Sequence, residues 1–311
     1  MKTHLVTIFL LIGFLLNGQS DYRKTEFSLI NENDVYLLNG SDEYYSNGLI
    51  FNYRFLHNKK DSASSAIKRI IDFELGHKFF TPDGIIFTEI EDLDRPYAGL
   101  LYLSVSKSIF SSAKSRLKYG VQLGTTGKPS LGEALQKWYH NAMGFKKPLG
   151  WDFQIRTALV FNLFGEYNKQ FVLIPQLLDV VSSTGGTIGT GFINGYQKLD
   201  LRIGGLKPLD ASPFLNAIIG KGSEEFIANT YFFTGYGLSY VAHDVTVGGS
   251  LFNDNSPHTE TVMPWVQEAR IGWAASSNIA TFKMVFHWFS QELRSTRDNT
   301  YISFMLALRF K

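Results

Sequence analysis

The sequence predicts an all-β protein: a transmembrane antiparallel β-barrel of about twelve strands, with a short helix in an extracellular loop. Three observations carry that reading. The chain ends in a segment of strict two-residue alternation, Tyr301 to Lys311, with Ile302, Phe304, Leu306, Leu308 and Phe310 on one side. Such a period marks a strand with one apolar face. The composition combines 15% aromatic residues and 28 glycines with a mean hydropathy of -0.05. Lipid-facing and lumen-facing residues that alternate cancel in that average. Finally, no second apolar run matches the one at the N-terminus, and that run of about a dozen residues is itself shorter than the roughly 20 a spanning helix needs.

The N-terminus reads as an export signal. Met1-Lys2-Thr3-His4 is basic, Leu5 to Leu16 is apolar, and Asn17-Gly18-Gln19-Ser20 offers small and polar residues for cleavage. That order places a signal peptide at 1–20 and the mature barrel domain at 21–311. Alternation recurs at Leu49, Phe51, Tyr53 and Phe55, and again at Phe282, Met284, Phe286 and Trp288. Further strands are expected near 26–38, 71–80, 97–108, 117–126, 153–165, 169–182, 187–203, 229–241, 245–252 and 263–275. Turn signals fall at Glu166-Tyr167-Asn168-Lys169, Ala242-His243-Asp244 and Ser276-Ser277-Asn278. This parse gives one strand more than the even number expected of a bacterial barrel, with 169–203 its least defined region. Between the strands, 81–96 and 127–152 are long and chemically dense, as extracellular loops are. In the second, Leu131 to Met143 predicts a helix of about three turns.

Composition also sets exclusions. With no cysteine, the chain can form no disulfide, thiolate nucleophile or lipoprotein anchor. The near balance of 30 basic and 28 acidic residues gives no indication of a nucleic-acid partner. No Gly-x-Ser-x-Gly elbow occurs, which argues against a serine hydrolase.

Three polar constellations could carry chemistry. On the loop helix Gln136 and His140, four apart, share one face. Trp138 and Tyr139 point elsewhere, towards barrel or lipid headgroups. A neutral imidazole is suited to take a proton near pH 7, although a loop histidine is also commonly structural. Asn31-Glu32-Asn33-Asp34 offers oxygen ligands of the kind calcium favours, or is simply a polar strand end. In Asp92-Leu93-Asp94-Arg95-Pro96-Tyr97-Ala98-Gly99, Arg95 could grip phosphate or pair with Asp94 or Asp92.

Taken together and in order, these segments resemble the lipid A deacylase family of the LpxR type. The resemblance rests on Asn33-Asp34, Asp42-x-Tyr44-Tyr45-Ser46-Asn47-Gly48-Leu49, and Asp94-Arg95-Pro96-Tyr97-Ala98-Gly99. It continues through Gly132-x-x-x-Gln136-x-x-x-His140-x-x-x-Gly144 and Pro148-x-Gly150-Trp151-Asp152-x-Gln154. It implies an outer-membrane enzyme that removes the 3′-linked acyloxyacyl group of lipid A in lipopolysaccharide. It further implies His140 as general base, with Gln136 orienting it or the substrate and Ser46 supplying a hydroxyl where the family often has threonine. Asn33 and Asp34 are implied at a Ca²⁺ site. Assembly machinery would read the terminal strand, although Lys311 rather than Phe310 ends the chain.

Two departures accompany the resemblance. Thr81 to Thr88 contains no basic residue, and Phe145-Lys146-Lys147 stands where an acidic residue is expected. Lys146, Lys147 or Arg95 would then supply the positive charge for substrate binding. The competing readings are a phospholipase of the same membrane and a non-enzymatic barrel, either porin or adhesin. The narrow lumen of about twelve strands ranks the pore last.

Overall fold

The computed structural model describes residues 22–37, 43–57, 66–220, 228–252 and 255–311; the expected leader at 1–20 lies outside them. Twelve strands form one closed antiparallel sheet: β1 (Thr25–Asn33), β2 (Tyr44–Leu56), β3 (Lys68–Thr81), β4 (Ala98–Ser112), β5 (Ser115–Thr126) and β6 (Leu159–Ile174), then β7 (Leu178–Gly189), β8 (Phe192–Gly204), β9 (Ala228–Asp244), β10 (Trp265–Ser277), β11 (Ala280–Phe289) and β12 (Asn299–Phe310). Each pairs with its sequence neighbour. Closure comes from β1 on β12, in register from Thr25 opposite Phe310 to Asn33 opposite Ile302. A closed sheet leaves no unpaired edge, which is the condition for strands to cross hydrocarbon.

Alternation is inverted relative to a soluble protein. On β12 Tyr301, Ser303, Met305, Ala307 and Arg309 are buried in the lumen, while Leu306 and Phe310 are exposed on the outside. Inward charges are paired across strands. Arg54 on β2 reaches Glu26 on β1 at 2.8 Å and Asp72 on β3 at 3.0 Å, and Arg309 on β12 reaches Glu26 at 2.7 Å. Arg202 pairs with Asp179 at 2.7 Å and Arg270 with Asp200 at 2.6 Å. A buried charge without such a partner would be strongly unfavourable.

The end bearing the short 113–114, 175–177 and 278–279 turns is stoppered from within. Residues 205–220 fold back as two 3₁₀ turns, Leu209–Ala211 and Pro213–Leu215. Leu209, Ala217 and Ile219 pack on the inward-facing Ile70, Phe110 and Val181. Lys68 donates to the carbonyl of Ala217 at 2.8 Å, Arg202 to Ser212 Oγ at 2.9 Å, and Lys283 to Asn216 Oδ1 at 2.6 Å. Because these partners come from opposite sides of the barrel, the segment lies across the lumen.

Three sequence expectations are corrected. Residues 245–252 form no strand: Val245–Gly248 is a helical turn, capped by the Asp244 carboxylate accepting from the Thr246 amide at 2.7 Å. This was the surplus strand. Glu166-Tyr167-Asn168-Lys169 is not a turn but the middle of β6, where Asn168 accepts from Arg116 inside the lumen at 2.8 Å. Residues 242–244 likewise belong to the end of β9 rather than to a turn. Polar residues look like loop in a water-facing context, whereas a charged lumen makes them interior. The chain instead turns at 175–177, with Gln176 at φ 61, and at 190–191.

Candidate active site

At the opposite end, helix α1 (Gly132–Met143) packs against the outside of the wall rather than over the lumen. It contacts β3 and β4. Gly99 lies on the outward series of β4 with Leu101 and Leu103. Its Cα comes so close to Gly132 that a Cβ on Gly132 would sit 3.0 Å from it. Two glycines thus let helix and strand backbones touch. Gly132, Gln136 and His140 form the buried stripe of α1, spaced by four as one helix face requires. Gln136 Oε1 accepts the indole N–H of Trp151 at 2.7 Å. Trp151 in turn packs among Phe79, Leu93 and Tyr97, so the returning half of the loop clamps the helix from beneath.

The end of α1 sets the imidazole. Gly144 takes φ 72, a left-handed conformation that glycine adopts without strain, and Phe145 N–H closes on His140 O at 2.8 Å. The reversal carries the Lys146 carbonyl back to His140 Nδ1 at 2.6 Å. A carbonyl only accepts, so Nδ1 carries the proton and Nε2 is the basic nitrogen. Phe145 stands edge-on to the same ring, with centroids 5.7 Å apart.

A cavity of about 670 Å³ lies between α1, the end of β1 and the 82–97 loop. Asn33, Asp34, Ser46, His140 and Lys146 all line it. Asn33 and His140, 107 positions apart in sequence, therefore line the same cavity. Local breaks in strand geometry make this convergence possible. β1 stops at Asn33, whose Oδ1 accepts from the Val35 amide at 2.7 Å, so Asp34 leaves the pleat instead of facing away from Asn33. A β-bulge between Tyr45 and Asn47 adds Ser46 as an extra residue and re-aims it; its hydroxyl meets Thr81 Oγ1 at 2.6 Å. Asp34 Oδ2 accepts from the Glu43 amide at 2.8 Å.

Glu43, Asp83, Ile85, Phe87 and Phe145 also line the cavity without having been assigned a role from the sequence, and so does Tyr139, which was expected to point elsewhere. Glu43 and Asp83 are joined by Arg297 from the 290–298 loop, at 2.8 and 2.7 Å. Burial, followed by the Asp83 hydrogen bond, pushes the Glu43 carboxyl up to about 6. One wall is thus acidic and oxygen-rich, and the other is apolar.

Three expected site residues lie elsewhere. Arg95 is buried over the Phe80 ring, 4.3 Å away, and donates to Thr246 Oγ1 at 3.2 Å inside the barrel mouth; it cannot serve this cavity as a substrate grip. Lys147 is exposed and does not line the cavity. Gln136 is buried under α1 as an anchor rather than facing the cavity.

The donor chemistry fits a hard cation. Asn33, Asp34, Glu43, Ser46 and Asp83 each carry a side-chain oxygen of the kind calcium takes as ligand. Among the described residues no three acidic or histidine side chains converge into a ready metal cluster. Backbone carbonyls and water would have to complete the shell.

Comparison with known proteins agrees with this architecture. The solved structure of LpxR from Salmonella typhimurium superposes with a TM-score of 0.75 at 18% identity, covering 92% of this chain and 100% of that one. The β domain of the Bordetella autotransporter BrkA gives 0.46 at 11% identity, covering 93% and 99%; KdgM porin gives 0.39 at 6%, covering 92% and 99%. No curated protein sequence matches the chain. The family described as outer membrane protein LpxR matches residues 5–310, and the chain belongs to that family.

Proposed function

We propose that the protein hydrolyses an ester-linked acyl group of lipid A, the acyloxyacyl chain, from the outside of its own barrel wall. The observation that supports this most directly is the fixed tautomer of His140. With Nδ1–H donated to the Lys146 carbonyl, Nε2 is the basic nitrogen of a ring that lines one cavity with Asn33, Asp34 and Ser46. His140 Nε2 removes a proton from water as the oxygen attacks the ester carbonyl. The same proton then passes to the departing alkoxide as the tetrahedral intermediate collapses, leaving a free acid and an alcohol.

Asn33 and Asp34, with Glu43 or Asp83 nearby, would hold Ca²⁺. The ion would supply positive charge for the oxyanion, a role otherwise filled by backbone amides. Ser46 keeps a hydroxyl at the cavity floor, and Gln136 positions α1 through Trp151. Ile85, Phe87 and Phe145 form an apolar wall suited to an acyl chain, while Lys146 meets an anionic headgroup at the mouth. The chain would reach the membrane after cleavage of its leader and be inserted by barrel-assembly machinery.

The test is mass spectrometry of lipid A from cells expressing the protein or its His140→Ala variant. Loss of one acyl chain with the former, and an intact pattern with the latter, is expected. An unchanged pattern with folded wild-type protein would refute the assignment.

A further inference from the structure

Helix α1 has a second face, and we propose that this face is seated in the outer leaflet, at the boundary between lipid headgroups and acyl chains, so that the cavity opens sideways into the membrane. The second half of that statement rests on the hydrolase reading; the first does not.

The placement follows from which side of the wall carries the helix. Gly99, against which Gly132 packs, belongs to the outward series of β4, and Leu103 four residues further along that series is 50% exposed on the lipid side. The face of α1 turned away from the wall is therefore continuous with the barrel's lipid-facing surface. It is also apolar where a water-facing helix would be charged. Trp138 lies opposite the buried Gln136 and His140 and is 64% exposed; Leu131 is 57% and Met143 55% exposed, and Phe145 beyond the helix end is 44% exposed.

A large indole left uncovered beside aliphatic neighbours is costly in water and favourable at a bilayer interface, where tryptophan is enriched. The charges nearby fit the same position. Lys137 is paired with Glu133 along the helix, but Lys146 and Lys147 follow the apolar stripe, so their ammonium groups can rise to anionic headgroups while their stems stay in lipid. Across the cavity mouth, Ile86 is 52% exposed, so the opening is apolar on both lips. An acyl chain entering there would not have to leave hydrocarbon for water.

The absence of cysteine makes the experiment clean, because Trp138→Cys creates a single labelling position. The protein carrying a nitroxide at 138 is reconstituted into vesicles of phosphatidylethanolamine and lipopolysaccharide. Its collision rates with oxygen and with a water-soluble nickel chelate are compared with those of labels at Leu103→Cys, on the lipid face, and Thr259→Cys, in an extracellular loop. The label at 138 should behave like the one at 103, favouring oxygen. Behaviour like that at 259 would overturn the proposal.

Activity gives the second arm. Trp138→Ala should lower hydrolysis of vesicle-embedded lipid A about tenfold, the order expected for losing a buried indole, and leave a water-soluble short-chain ester unaffected. Equal loss on both substrates, or loss on neither, counts against lateral entry. If wild-type protein hydrolyses neither substrate, the hydrolase reading fails while the depth measurement still decides the lipid-facing helix.

Discussion

Trp151 donates its indole N–H to Oε1 of Gln136 at 2.7 Å, with both side chains buried. This bond ties the helix that carries His140 to the strand of chain that returns beneath it. Gln136→Leu removes the acceptor and leaves a buried donor unsatisfied, at a cost of about 1–3 kcal/mol. Thermal unfolding in detergent should show the loss, and hydrolysis should fall with it. The double substitution with Trp151→Phe should be less damaging than the sum of the singles, because the two residues share one interaction.

Gly99 and Gly132 predict a separable defect. A Cβ on Gly99 would lie 3.1 Å from the Gly132 Cα and 2.1 Å from Ser130 Oγ, so Gly99→Val must push α1 away from the wall. Displacement of about 1 Å at a catalytic group can cost on the order of a hundredfold in rate. Hydrolysis should drop by that order while the barrel keeps its heat-modifiable migration on gels, since the strand register does not depend on the helix.

The pH dependence of stability should carry a contribution from Glu43. Its carboxyl titrates near 6 in the folded protein against 4.5 for the ordinary side chain, so between those values the folded state holds a proton that the unfolded state has lost. The favourable contribution is complete below about 4.5 and disappears as pH rises through about 6. Glu43→Gln should therefore resist urea better than wild type at pH 7, with the difference vanishing at pH 4. The group is only partly buried, so solvent screening keeps the effect small.

Chelation tests the cation. EGTA should abolish hydrolysis and added Ca²⁺ restore it, whereas Mg²⁺ should not, because its strict octahedral shell suits an open, partly backbone-built site poorly. Asp34→Asn should raise the Ca²⁺ concentration needed for half-maximal activity, as read by titration.

The stoppered lumen predicts electrical silence. Wild-type protein in planar bilayers should show no sustained conductance, and deletion of 206–219 should introduce it. Wild-type channels of steady conductance would revive the porin reading.

Alternation made the barrel legible: Ile302 to Phe310 and Phe282 to Trp288 lie on the outside as their spacing requires. The spacing of Gln136 and His140 placed both on the buried stripe of α1. What sequence could not show depended on irregular backbone. The bulge that re-aims Ser46, the end of β1 that frees Asp34, and the Gly144 reversal that brings Lys146 O to His140 leave no periodic trace. Arg95 misled for the opposite reason. A guanidinium beside Asp94 suggests an anion grip, yet its neighbours in space are Phe80 and Thr246, contributed by β3 and the 245–248 turn.

Residues 205–220 and the inward ion pairs also settle how variation in this chain should be interpreted. In a transport barrel the interior is where selection tunes specificity and the outer wall need only be greasy. Here one end of the interior is stoppered and its inward charges are tied to one another or to the stopper, so a change at Arg54, Asp179 or Lys68 is a change in folding. The exterior between β1 and α1 carries the proposed hydrolytic site, so on that reading natural diversity there would track the lipids of each host's surface.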